Sequence, residues 1–203
     1  MPGRGRPPRH SVDDLLDLAI EVIAERGLEG CTFKALAKRA DTSTTAFTYW
    51  FGTRKNLITE VLERSYSRSL KSLEQVAAGD GDPVRRLYDF GLVDLQTGGA
   101  NLDYARAFAE IVVAAPRHPE WLAALHRLDE PYRTRFELAT ERAQTMGSID
   151  PELDAGTLWL TLCSAVNGLN MMRFAYPEEF GPETIEVEYR RIFEGLIGRS
   201  VDG

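Results

Sequence analysis

From Ser11 onward the apolar residues of this chain recur at three- and four-residue intervals between breaks made by glycine and proline, and no segment alternates as a half-buried strand would. That periodicity predicts an all-α protein. The breaks at 79–83, 98–99, 116–119, 147–151 and 177–182 predict about nine helices. A length of 203 residues gives room for a small head and a larger helical body. The predicted division is a disordered basic arm at 1–10, a head at 11–62 and a body at 63–203. The arm holds three prolines, two glycines and three arginines, so it forms no helix and buries no core.

In the head, Ser11 is a good N-cap for a helix with Val12, Leu15, Leu16, Ala19, Val22 and Ile23 on its apolar face, ending at Gly27. Thr32 caps a short second helix, with Phe33, Leu36, Ala37 and Ala40 on one side and Lys34, Lys38 and Arg39 on the other. Asp41, Thr42 and Ser43 prefer turns. A third helix starts at Thr44 and must end by Gly52, and Thr53 caps a fourth through Leu57, Val61 and Leu62. Helix, tight turn, helix is the predicted arrangement. Leu36, Ala37, Ala40, Phe47 and Phe51 pack the short helices on the first. That leaves Ser43, Thr44, Thr45, Thr48 and Tyr49 facing outward, where short hydroxyls and a phenol reach base edges, thymine methyls and phosphates of double-stranded DNA. Thr32, Lys34 and Lys55 flank them.

The net charge of −7 opposes such a partner only until it is divided along the chain. Residues 1–76 carry 12 Lys+Arg against 10 Asp+Glu, a charge of +2, whereas 77–203 carry 12 against 21, a charge of −9. A basic head on an acidic body favours docking on DNA in one orientation.

Thr32, Leu36, Ala37, Ala40, Ser43, Phe47, Trp50, Phe51, Arg54 and Leu57 together resemble the DNA-binding head of the TetR family of transcriptional regulators. The departures are Asp41 and Thr42 where the family has Gly-Val, Thr45 where it often has Gly, and Thr48 in place of Tyr. The resemblance implies a homodimer, probing successive major grooves of a near-palindromic operator, acting as a repressor and released by a small molecule. It assigns Arg54 to a backbone phosphate. Arg4 and Arg6, in the run Arg-Gly-Arg-Pro, resemble an AT-hook core that enters a narrow minor groove, although a solvated tail accounts for the same residues.

The body predicts two further sites. Leu158, Leu162, Ala165 and Leu169 form one stripe of a helix at 151–175, and with Tyr189, Phe193 and Leu196 of the last helix they are the expected dimer interface. Phe90, Tyr104, Phe108, Trp121, Trp159, Met171 and Phe174 can line a cavity for an apolar or amphipathic effector, with Asn167 and Asn170 as polar anchors. Ordinary core packing explains the same rings. Control of the same dimer by a protein partner is the alternative.

No metal-ligand spacing, cofactor motif, catalytic motif or membrane-length apolar run is present, so neither metal nor cofactor is expected, and the chain is expected in the cytoplasm as a regulator and not an enzyme. Cys31 and Cys163 read as reduced core residues.

Overall fold

The computed structural model describes residues 10–78, 81–100 and 102–202, with the side chains of 72–73, 75–78 and 96–100 left out of the description. Arg4 and Arg6 lie outside the described residues. Every regular element among those described is helical: α1 Val12–Gly30, α2 Phe33–Arg39, α3 Thr44–Phe51, α4 Arg54–Ala78, α5 Pro83–Ala100, α6 Leu102–Ala114, a 3₁₀ turn Ala115–Arg117, α7 Pro119–Thr145, α8 Ala155–Ala175 and α9 Pro182–Ile197.

The helix starts follow local chemistry. At α1 the Ser11 hydroxyl accepts from Asp14 N at 3.1 Å and the Asp14 carboxylate accepts from Ser11 N at 2.8 Å, a reciprocal cap. Thr32 accepts from Ala35 N and Thr53 from Asn56 N, as their residue types predict. Gly27 interrupts α1 at φ 67°, so the expected stop is a kink rather than an end. Two other breaks differ from expectation. Helix α5 runs through Gly98 and Gly99 to Ala100, and α8 begins at Ala155, capped by Asp154, instead of at Pro151.

Apolar faces assemble two cores. The first joins α1–α4 to α6 and the start of α7 through Tyr104, Ala107, Ile111, Trp121 and Leu125. The second packs α5, α8 and α9 around the rest of α7. Tyr66 of α4 touches both. The predicted head–body boundary at 62/63 therefore falls inside one continuous helix, and body residues complete the head's core. No helix among the described residues is long and apolar enough to cross a membrane.

Candidate functional site

Helix α3 buries Phe47 and Phe51 and turns its other face to solvent. Thr44, Thr45 and Thr48 are exposed there, and Tyr49 is 78% exposed. Ser43 precedes them and is exposed, with no side-chain cap bond. Thr48 donates to Thr44 O at 3.1 Å. Lys34 is exposed on α2, and Thr32 is exposed with its oxygen engaged as a cap. Trp50 joins this face unannounced. It is 39% exposed and meets Tyr49 edge-on at 5.1 Å, because Phe47 and Phe51 fill the core side of α3 and leave Trp50 at its margin. In the turn before α3, Asp41 adopts φ 48°, the left-handed conformation a glycine would take without cost, which explains how the turn keeps its shape despite that departure.

The expected phosphate contact, Arg54, and the flanking Lys55 are already engaged. Arg54 Nε donates to Cys31 O at 2.7 Å, and its Nη2 donates to Leu28 O, so this guanidinium closes the C-terminal end of α1 where unsatisfied carbonyls gather. Arg54 thus has an internal role beside the phosphate contact expected of it. Lys55 pairs with Glu120 of α7 at 2.8 Å while remaining largely exposed. Arg39 is also turned inward, bonding Glu25 at 2.5 Å and Glu21 at 3.1 Å on α1. His10 Nε2 donates to Ala40 O at 2.8 Å, which brings the last arm residue beside the turn. Burial pushes the Cys31 thiol up to about 11, so it is a packed thiol with no sensor character.

Behind the head, α4–α8 enclose a cavity of about 160 Å³. Ser65, Tyr66 and Ser69 come from α4, Phe90, Gly91 and Asp94 from α5, and Tyr104 and Phe108 from α6. Asp129, Tyr132 and Phe136 of α7 and Trp159, Cys163, Asn167, Asn170 and Met171 of α8 complete the wall. Edge-on ring contacts link Phe108 to Tyr66 and Tyr66 to Tyr132, at 5.7 and 5.4 Å. Phe90, Phe136 and Trp159 form a second run at 5.8 and 5.4 Å. Of the expected lining, Phe90, Tyr104, Phe108, Trp159, Asn167, Asn170 and Met171 are brought together.

Trp121 and Phe174 are not. Trp121 is buried where α7 meets the head, its Nε1 donating to Lys55 O at 3.2 Å and its ring stacked on His118. Phe174 sits outside the cavity, under the Arg106 guanidinium. Asp94 and Asp129 were missed because a carboxylate on a helix reads as a solvated face. Burial, then neighbouring Asp129, pushes the Asp94 carboxyl up to about 6, against a lowering by the Ser69 hydroxyl. Burial also raises Asp129, opposed by Arg133 and His126.

One cavity residue is wired to the head. The Tyr104 hydroxyl donates to Asp17 Oδ1 of α1 at 2.5 Å, and Arg64 of α4 grips both Asp17 oxygens at 2.9 Å and Asp13 at 2.7 Å. Burial and the adjoining Asp17 carboxylate raise the Tyr104 phenol, keeping it a donor.

The expected dimer stripe needs correction. Leu158, Leu162, Leu169, Tyr189 and Phe193 are buried inside the chain itself, Tyr189 and Phe193 completely, and Leu162 lines the cavity. Ala165 and Leu196 are half-buried. The outward face carries Leu160, Ser164, Gly168 and Met171 on α8 and Val187, Arg191 and Gly195 on α9, with Leu160 66% exposed.

Residues 15–61 match the family model of bacterial regulatory proteins, tetR family. A solved TetR-family transcriptional regulator from Rhodococcus sp. shares the fold at TM-score 0.80 and 22% identity, over 91% of this chain and 97% of that one. A transcriptional regulator from Rhodococcus sp. Rha1 matches at TM-score 0.77 and 27% identity, over 93% and 95%. A structure described as a transcriptional regulator from Saccharomonospora viridis, in complex with choline, matches at TM-score 0.78 and 18% identity, over 89% and 93%. No curated protein matches the chain significantly.

Proposed function

We propose, from the match of residues 15–61 to the family model of bacterial regulatory proteins, tetR family, that this chain is a ligand-responsive repressor that binds a near-palindromic operator as a homodimer. Thr44, Thr45, Thr48, Tyr49 and Trp50 read base edges, while Ser43, Thr32 and Lys34 meet the backbone. Such dimers place their two reading helices about 34 Å apart, one turn of DNA.

The observation that carries the ligand response is the position of Tyr104, in the cavity wall and on Asp17 of the head at once. A molecule that displaces the Tyr104 ring alters its hold on Asp17 and Arg64, and so the seating of α1 against α4. Ser65 and Tyr66 add a second route, since they line the cavity on the helix that begins directly behind α3. A coupling of about 1–3 kcal/mol is the usual scale for such a switch, and operator must weaken ligand binding by the factor by which ligand weakens operator binding. The structure from Saccharomonospora viridis, in complex with choline, supports a small-molecule site on this fold.

The test is selection of DNA from a random pool by the purified protein, followed by footprinting. Two inverted half-sites are expected, and Tyr49→Ala should weaken the selected site by about 1–3 kcal/mol while leaving thermal unfolding unchanged. Recovery of no preferred sequence would refute the regulator reading.

A further inference from the structure

We infer that the cavity takes an organic cation, an amine or quaternary ammonium on a compact apolar body, with its charge held by the carboxylates of Asp94 and Asp129. This rests on the reading of the cavity as the effector site and names the ligand's chemistry.

Charge balance supplies the first argument. Among the described lining residues there are two carboxylates and no lysine, arginine or histidine. An anion would enter against two like charges, and a hydrocarbon would leave both carboxylates without a counter-charge inside the cavity, which is costly in either case. Arg133 and His126, near Asp129 on α7, do not line the cavity, and Arg133 Nε is bonded to Glu137 at 2.7 Å. Ser69 offers Asp94 one hydroxyl and no counter-charge.

The second argument is an orphaned acceptor. Asn170 Oδ1, in the same wall, is buried without a hydrogen-bond partner among the described residues. A buried amide oxygen left unpaired costs free energy, and the N–H of a protonated amine satisfies it, which favours an amine over a quaternary ammonium at this atom. The third is the rings. Tyr66, Tyr132 and Trp159 line the wall, the two tyrosines held edge-on to each other and Trp159 tilted at 48° on Phe136, and aromatic rings in such a wall attract a desolvated cation. A volume near 160 Å³ admits one ring with a short amine arm, since an engineered cavity of about 150 Å³ holds benzene.

The pH dependence follows from the groups facing Asp94: Asp129 and Tyr132 on α7, Tyr66 on α4, Tyr104 on α6, Cys163 on α8 and Tyr189 on α9. None is cationic. The tyrosines and Cys163 remain neutral around pH 6, burial raising each of those for which a shift is resolved. With its carboxyl pushed up to about 6, Asp94 holds a proton in acid and loses it towards neutrality, so cation affinity rises with pH through that window.

The experiment titrates the full-length protein with phenethylamine, benzyltrimethylammonium and tetraethylammonium, beside neutral 2-phenylethanol and anionic 3-phenylpropanoate. Tryptophan fluorescence, thermal shift and operator release are read in parallel. At least one ammonium should bind about tenfold or more tighter than both isosteres near pH 7.5, with the advantage shrinking towards about pH 5.5. Asp94→Asn and Asp129→Asn, which preserve shape, should each remove most of that advantage while 2-phenylethanol binding stays within about threefold. Tighter binding of either isostere, no ammonium binding at millimolar concentration, or unchanged selectivity in both variants would overturn the inference. If a neutral isostere wins and releases operator, the regulator stands and the cation fails. If an ammonium binds selectively yet leaves operator affinity unaltered, the cation site stands and the regulatory reading fails.

Discussion

Arg54 shows how one side chain can satisfy a motif and serve a different end. Its fork fits two carbonyls left open where α1 stops, Leu28 O and Cys31 O, and those bonds lock α4 to α1 behind the reading helix. Arg54→Ala should therefore lower unfolding free energy by about 1–3 kcal/mol, as charged hydrogen bonds do, and leave the salt dependence of DNA binding unchanged. Arg54→Lys should restore little, because an ammonium lacks the fork. Urea denaturation alongside operator titrations in salt checks both. A salt slope lower by about one unit at unaltered stability would return Arg54 to a phosphate.

At the scale of elements, α5 and α9 approach closely because position 91 has no side chain. A Cβ there would lie 2.1 Å from Tyr189 Oη, and Tyr189 donates to Tyr88 O at 3.1 Å across the same contact. Gly91→Ala should cost about 1–3 kcal/mol through overpacking. Adding Tyr189→Phe should recover part of the loss, since the hydroxyl makes the tightest clash while the ring carbon behind it, at 2.6 Å, remains close. Chemical denaturation of the single and double variants measures this, and full stability in Gly91→Ala would mean that the helices separate without cost. Helix α7 makes a complementary tie to the head, with Trp121 on Lys55 O, Glu120 on Lys55 and Arg127 on Glu63 at 2.6 Å. Motion of α4 must thus be shared with α7.

For the whole molecule, the two cores meet at Tyr66, and the cavity lies where they join. Its wall reaches the exposed positions Asn167 and Met171, beside the outward face of α8 and α9. The homodimer proposed above needs a face outside the protomer core, and this one is open to a second copy. Leu160→Glu with Val187→Arg should give a folded monomer with weakened operator binding, because both side chains leave the protomer core intact. Leu162→Glu and Phe193→Glu should instead unfold the chain by burying an unpaired charge. Sedimentation and circular dichroism distinguish the cases. A dimer that survives Leu160→Glu with Val187→Arg would place the interface elsewhere.

The head was legible in the sequence because caps, turns and three- or four-residue spacings act between near neighbours: Ser11 with Asp14, Thr32 with Ala35, and Phe47 with Phe51 along one helical face. Some of the cavity was legible too, since aromatic residues at helical spacing can reach it. Local spacing could not rank Trp121 below Trp159, whose surroundings are set by residues far along the chain, nor send Arg54 to carbonyls 23 and 26 positions away. Helix α8 is apolar on several faces, so its pattern left open which stripe faces the core. That choice was made by α5, α7 and α9, which cover Leu158, Leu162 and Leu169 and leave Leu160 outside. The sequence by itself determined most of the helices and the exposed face of α3 through local chemistry; tertiary packing decided which carboxylates, rings and faces share a space, because desolvation depends on neighbours that chain order does not specify.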